Sequence, residues 1–297
     1  MDRSPRVHVP VLVKELVDLF QPIEDGTVVD MTVDGGGHAR ALLERPGNRC
    51  RLLGLDRDAA ILEYAKRELE PFGDRVVLRH GPFDEVEQVF PELRRVKPRG
   101  IVFDLGLSSL QLDDPRRGFS FELEGPLDMR MDPADPLTAE EIVNSWSAAE
   151  LEQVFRRYGE EPRSRRIAKA IVAARCHAPV KTTGALASII ERAAPRSPGR
   201  RTESRCFMAI RIVVNREIER FERALAQAIG LLAKGGRIAV VAFHSLEDRV
   251  AKEQFRAAAR AGALRVLTRK PLVPTEAERR ANPRSRSARL RAAEALH

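Results

Sequence analysis

The chain is poor in cysteine. Three occur in 297 residues, Cys50, Cys176 and Cys206, and none shares a short paired spacing with another. That excludes a disulfide framework and a structural zinc site, and it fits a reducing compartment. No run of about twenty apolar residues exists to span a bilayer as a helix. The N-terminal stretch MDRSPRVHVPVLVKEL lacks the apolar centre and small-residue cleavage site of a signal peptide. A soluble, cytoplasmic protein with no membrane partner is therefore expected. Internal repeats and low-complexity tracts are absent as well, which excludes a solenoid. Acidic residues are in deficit, 43 against 51 Lys and Arg, for a formal net charge of +8. This balance leaves the fold open but favours an anionic partner such as nucleic acid.

What is present is a chain long enough for one large core or two smaller ones. Short β-branched runs alternate with helical patterns in its first third, the pattern of βαβ units and a parallel sheet. Strands are predicted at Thr27–Thr32, Arg51–Asp56, Arg75–His80, Gly100–Leu105 and Gly235–Phe243, with another near Leu264. From about Leu137 to Gly199 no strand pattern appears. There SAAELEQVFRRYG opens with Ser147 and Glu150 at capping-box spacing and closes at Gly159. RSRRIAKAIVAARC and TTGALASIIERAA follow as amphipathic helices. The pattern predicts a domain over 1–136, a helical insertion over 137–204, and a return to the first domain over 205–297, beginning with one long helix over roughly Arg205–Ala233.

The segment TVVDMTVDGGGHARALL, Thr27–Leu43, reads as strand, glycine turn and helix start. A dinucleotide fingerprint needs a third glycine where Arg40 stands. The turn also carries Asp30 and Asp34, which repel a pyrophosphate and attract a cation. Asp56, at the end of the second strand, occupies the place of an acceptor for ribose hydroxyls, and Asp104 ends a later strand at the same sheet edge. Each carboxylate alone suits a helix N-cap equally well. All three in one register point to a bound nucleoside with a cationic end, such as S-adenosylmethionine.

Seven stretches occur in an order that carries more. They are HVPVL (His8–Leu12), GGGHA (Gly35–Ala39), FDLGLSSLQLDDPRRGFSF (Phe103–Phe121), LDMRMD (Leu127–Asp132), YGEE (Tyr158–Glu161), FHSLEDR (Phe243–Arg249) and NPRSRSARLR (Asn282–Arg291). In them the chain closely resembles, essentially end to end, the RsmH/MraW family of bacterial methyltransferases. These act on the exocyclic N4 amine of a cytidine in 16S ribosomal RNA. The resemblance implies a class I S-adenosylmethionine-dependent methyltransferase fold, an α/β, doubly wound, mostly parallel sheet with an inserted all-helical domain. It implies S-adenosylmethionine as donor and a target in the decoding centre. By motif match the cofactor contacts would be Gly36, Gly37, His38, Asp56, Phe83, Asp104 and Gln111. Two positions depart from the family pattern. Asp34 stands where a neutral residue or glycine is usual, and Met208 replaces a glutamine.

A cytosine amine is a poor nucleophile because its lone pair is delocalised into the ring, so holding nitrogen, carbon and sulfur in line is the main task. Positive charge moves onto the nitrogen, and acceptors should surround it. Asp104 and the carbonyls of DLGLSS are the expected acceptors, with Ser108 and Ser109 orienting the base. No general base is required, since the product loses its proton easily. The post-strand motif of DNA amino-methyltransferases, (N/D/S)-P-P-(Y/F/W), is absent, so that match is positional only. His244 is expected to wall the substrate pocket, the alternative being a plain cap at Ser245. His38 is expected to offer its backbone N–H while its side chain faces solvent, and His8 to tie down the N-terminal arm. No metal site is expected.

For RNA, RRANPRSRSARLR (Arg279–Arg291) holds six arginines and no acid. Arg284, Arg286, Arg289 and Arg291 are the predicted phosphate contacts. The alternative is that this segment folds back on the core with its arginines paired to carboxylates. The loop PRSPGRR and Arg163, Arg165 and Arg166 add charge of the same sign. The expected partner is 16S ribosomal RNA within the small ribosomal subunit, and a homodimer is left open. Competing readings are an NAD-dependent oxidoreductase, disfavoured by Arg40 and Asp34, a non-catalytic RNA-binding factor, and a methyltransferase acting on another RNA or on a protein.

Overall fold

A computed structural model describes residues 10–195 and 202–297. His8 and all but the first residue of the basic loop PRSPGRR lie outside the described residues. Chain contacts divide the protein into two compact units, one of which comprises residues 109–217 and the other the chain on both sides of it, 10–108 and 218–297 among the described residues.

The discontinuous unit is built on one seven-stranded sheet, β1 (Thr27–Asp30), β2 (Arg51–Asp56), β3 (Val76–His80), β4 (Gly100–Asp104), β5 (Arg237–Ala242), β6 (Leu264–Val266) and β7 (Arg289–Ala295). The strand order is β3-β2-β1-β4-β5-β7-β6. The first five strands run parallel, and β7 is antiparallel to both β5 and β6. This is the doubly wound, mostly parallel sheet expected, with the order reversing between β1 and β4. The ends of those two strands therefore open the crevice in which such sheets bind ligands. Val28, Val29, Leu52, Leu53, Ile101, Val102, Phe103 and the run Ile238–Val241 are all buried. Strands covered on both faces read as continuous apolar runs, which is why their positions were legible.

The helices of this unit before the interruption are α1 (Val13–Phe20), α2 (Gly37–Leu43), α3 (Ala59–Leu69) and the single turn α4 (Val86–Val89). The buried Arg45 ties α1 to α2, its guanidinium donating to the carbonyls of Phe20 at the end of α1, Ile23 beyond it and Leu42 in α2. The interposed unit contains α5 (Ser109–Asp113), α6 (Ala139–Ser145), α7 (Ala148–Arg157), α8 (Ser164–Arg175), α9 (Thr183–Ala193) and α10 (Thr202–Asn215). The capping box of Ser147 and Glu150 forms as the spacing predicts. The unit begins and ends outside the 137–204 bounds read from the sequence. Its non-helical stretch before α6 is tied to α9 and α10: Thr183 Oγ1 accepts from Gly125 N and donates to Leu123 O, and Asn215 holds Met129 O and Met131 N. Leading helices by their periodicity gives no sign of such side-chain tethers.

After the insertion come α11 (Glu217–Leu231), α12 (Ser245–Arg260) and α13 (Glu276–Ala281). The single helix expected over Arg205–Ala233 is broken. Arg216 lies in the left-handed region at φ 51°, between α10 and α11. The Asn215 side chain bonds outward to Met129 and Met131, which fixes the end of α10 and turns the chain.

β7 is not among the predicted strands, and it realises the alternative in which the arginine-rich segment folds back on the core. The segment Arg289–Ala295 inserts between β5 and β6. Glu294 sits opposite both Arg237 and Arg265 in the strand registers and pairs with each, at 3.1 and 2.7 Å. Opposed charges across neighbouring strands pin the register. Leu290, Ala292, Ala293 and Ala295 are buried on either face of the strand.

Candidate active site

The glycine turn follows β1. Gly36, at φ 81°, caps the N-terminus of α2, and Asp34 before it is also left-handed at φ 48°. Asp is among the few non-glycine residues that tolerate this region. Gly37 packs so closely on Pro10 that a Cβ there would stand 2.7 Å from the ring.

Three carboxylates meet this turn from three strand ends. Asp56, ending β2, accepts from Asp34 N at 3.0 Å and from Asp58 N at 2.9 Å. Burial raises its pKa to about 7 against those backbone bonds, with Asp34 and Asp58 adding repulsion. Asp30, ending β1, accepts from Thr32 N through Oδ1, and its Oδ2 is buried with no partner. Burial raises Asp30 to about 7, outweighing the lowering by His38 and the Thr32 N–H. Asp104, ending β4, has its backbone N–H on Thr32 Oγ1 at 2.6 Å. One side-chain oxygen faces His38, and the other, Oδ1, is buried without a partner.

His38 corrects the expectation that its side chain faces solvent. It is buried. Nδ1 lies 3.0 Å from Asp104 Oδ2 and Nε2 lies 2.8 Å from the Val11 carbonyl. Burial lowers its pKa, but the Asp104 charge and hydrogen bond, the Val11 carbonyl and Asp30 outweigh that and hold it at about 9. Both ring nitrogens face acceptors, so the imidazolium is the form that satisfies the site. It neutralises one of two carboxylates and leaves two oxygens, on Asp30 and Asp104, unfilled. Unpartnered buried acceptors of this kind are costly unless a ligand supplies donors or positive charge.

The Phe83 ring stacks edge-on against Phe103, centroids 6.0 Å apart, and Phe103 in turn against Phe221 at 5.5 Å. Next to it, Asp84 is buried and takes Arg220 and Arg223, which hold its carboxyl below the usual range despite burial. That pairing fixes the turn carrying Phe83. Ser108 ends the same unit, and is buried. Ser109 and Gln111, also buried, begin the other unit in α5.

His244 is the N-cap of α12, in place of Ser245. Its Nδ1 accepts from Glu247 N at 3.4 Å, and Glu247 Oε2 accepts from Phe243 N and His244 N. Nε2 lies 3.1 Å from Glu247 Oε1 but off the hydrogen-bond axis. The ring also lines a cavity of about 250 Å³, together with Phe243 and Ser245.

Of the predicted phosphate contacts, Arg284 and Arg286 lie exposed in the turn Pro283–Ser287. Arg291 does not: it is buried, and it bonds Asp248 through Nε at 2.6 Å and through a terminal nitrogen at 3.1 Å. Arg289 is half-exposed and reaches the same carboxylate at 3.1 Å. Arg291 is thereby removed from the expected RNA contacts, since β7 is a central strand and its charge is already matched. Arg163 is turned toward Glu161 and donates to Pro195 O, while Arg165 and Arg166 are exposed. Among the described residues no helix is long and apolar enough to cross a membrane.

The sequence of the chain matches a model of the MraW methylase family over residues 6–296. It is 45% identical to a ribosomal RNA small subunit methyltransferase H from Thermomicrobium roseum, over 99% of this chain and 95% of that protein. It is 46% identical to the protein of the same name from Thermotoga neapolitana, over 99% and 98% of the two chains.

Proposed function

The chain belongs to the MraW methylase family, and from that premise we propose that it methylates the exocyclic N4 amine of a cytidine in the small-subunit ribosomal RNA, using S-adenosylmethionine. The observation that carries the reading is the pair of buried, unfilled carboxylate oxygens at the switch point, Asp30 Oδ2 and Asp104 Oδ1. Asp30 Oδ2 suits a cationic cofactor and Asp104 Oδ1 suits an N–H of the substrate amine, and neither suits a pyrophosphate. Asp56 is the acceptor suited to ribose hydroxyls, Phe83 the apolar surface suited to adenine, and Gly36 and Gly37 leave room for close approach of the chain.

S-adenosylmethionine supplies the activated methyl group. The protein's own residues orient and stabilise. His38 fixes Asp104 from one side through Oδ2, so that Oδ1 points to a defined place. Asp104 Oδ1 accepts an N–H of the amine, an interaction that strengthens as positive charge develops on nitrogen. The imidazolium keeps the net charge of the pair near zero before the amine arrives. Ser108, buried a few residues beyond the end of β4, completes the proposed set on this unit by orienting the base. A target inside an assembled small subunit fits the basic exposed arginines, and the base must leave its stack to reach a sheet edge. Mapping N4-methylated cytidines in ribosomal RNA from cells with and without this protein tests the reading. An identical cytidine methylation pattern in both would refute it.

A further inference from the structure

Two cavities in the sheet-bearing unit are lined by cations and by no carboxylate. The first, about 250 Å³, has Arg279, Arg286 and Arg289 around it and His244 at its wall. The second, about 280 Å³, has Lys252, Arg256, Arg269 and Arg291 around it, over Phe255 and Val266. Their relation follows from β7. Arg289 and Arg291 are two residues apart on one strand, so their side chains leave the same face about 7 Å apart. Both reach Asp248, which stands between the cavities and matches part of their charge. The cavities are therefore neighbours on one face.

The remaining cations have no such match. Arg279, Arg286, Lys252, Arg256 and Arg269 make no side-chain ion pair or hydrogen bond among the described residues, and Arg279 Nε is buried without a partner. Like charges gathered around concave surfaces repel one another, and they do so more strongly where water is displaced. A solvated charged face spreads its cations, whereas these converge. The first cavity also lies at the end of β5, where Arg289 is paired with Ala242. That is the edge of the sheet at which Asp30, Asp56 and Asp104 end their strands.

Building on the proposed function, we infer that the two cavities are seats for successive phosphates of one RNA strand, leading along α12 and β7 toward the sheet edge where the target base is received. Arg279 and Arg286 hold the phosphate nearer the reacting base. Lys252, Arg256 and Arg269 hold the next. Arg289 and Arg291, fixed by Asp248, set the spacing between the seats. Neither seat carries groups arranged to read a base edge, so the track contributes affinity and direction, and sequence is read elsewhere.

The test uses full-length protein and a fluorescently labelled single-stranded fragment of small-subunit ribosomal RNA containing the target cytidine. Anisotropy titrations over a salt series compare wild type with Arg279→Ala/Arg286→Ala and with Lys252→Ala/Arg256→Ala/Arg269→Ala. Each set is expected to lower the slope of log affinity against log salt by about 0.7 or more, the value for one phosphate on a single strand. S-adenosylmethionine binding by calorimetry should be unchanged in both sets. Arg286→Ala alone alters an exposed side chain and guards against misfolding, and Arg286→Lys should retain the wild-type slope. Unchanged slopes in variants that still bind S-adenosylmethionine would overturn the track while leaving the methyltransferase reading intact. A wild-type protein that does not bind the fragment would also overturn the track, whereas the methyltransferase reading stands or falls with the cellular cytidine mapping.

Discussion

His38 and Asp104 form a buried ion pair, Nδ1 to Oδ2 at 3.0 Å, that joins the glycine turn to the end of β4. The second ring nitrogen is held by the Val11 carbonyl, so the imidazole cannot rotate without losing both partners. One oxygen of Asp104 is thus committed to structure, and the other is left for a ligand.

The pair makes stability depend on alkaline pH. The His38 pKa is about 9 in the folded protein against 6.5 for an imidazole in the unfolded chain, so its contribution is fully present below about 6.5 and is lost as pH rises through 9. The interval corresponds to on the order of 3 kcal/mol. Urea unfolding across this range should show wild type weakening and His38→Asn starting lower with a flatter profile. A parallel decline in both proteins would remove His38 as the cause.

Cofactor affinity should also follow pH, with the opposite sense. Asp30 and Asp56 are each raised to about 7, so below that value they hold protons that a cationic ligand must displace. S-adenosylmethionine affinity is expected to rise as pH passes upward through 7, and Asp30→Asn to flatten that rise. Without ligand the raised Asp30 makes folding less favourable as pH climbs from 3.8 to about 7, so Asp30→Asn should gain stability at pH 8 while binding more weakly. Calorimetry in buffers of different ionisation heat would detect the proton release.

Asp56→Ala should weaken S-adenosylmethionine binding by about 1.5–3 kcal/mol, the worth of a hydrogen bond to a charged acceptor. Because Asp56 also holds Asp34 N and Asp58 N, the thermal midpoint must be measured beside the affinity. Unchanged affinity in a folded variant would take Asp56 out of the site.

Asp104→Asn should lower turnover more than it lowers affinity for RNA, since its contact strengthens as charge reaches the amine. Single-turnover methylation set beside anisotropy separates the two. Equal losses would reassign Asp104 to positioning, and full turnover would end its proposed role.

Arg291→Ala should cost about 3–5 kcal/mol of stability, because it leaves the mostly buried Asp248 with Arg289 alone and removes a buried side chain between α12 and the sheet. Arg286→Ala, on an exposed side chain, should stay within about 0.5 kcal/mol of wild type. Equal effects from the two substitutions would contradict the burial of Arg291.

The sequence by itself determined the parallel half of the sheet. Strands buried on both faces must be unbroken apolar runs, and TVVD, RLLGLD and RIAVVA can be nothing else in a chain with helices between them. It placed Asp30, Asp56 and Asp104 at one edge too, because carboxylates that end parallel strands share that edge whatever the loops do. Capping at Ser147 was legible for the same reason, as both partners lie within one helical turn.

Only the tertiary structure decided which polar groups were consumed internally. His38 reads as a turn residue until α2 swings it onto Asp104. RLRAAEA reads as the end of a basic tail, poor in β-branched residues, until Glu294 is placed between Arg237 and Arg265 and Asp248 arrives from α12 to meet Arg291. Charge is visible in a sequence, but its neutralisation is a property of partners far apart along the chain, and those partners meet only once the sheet has closed.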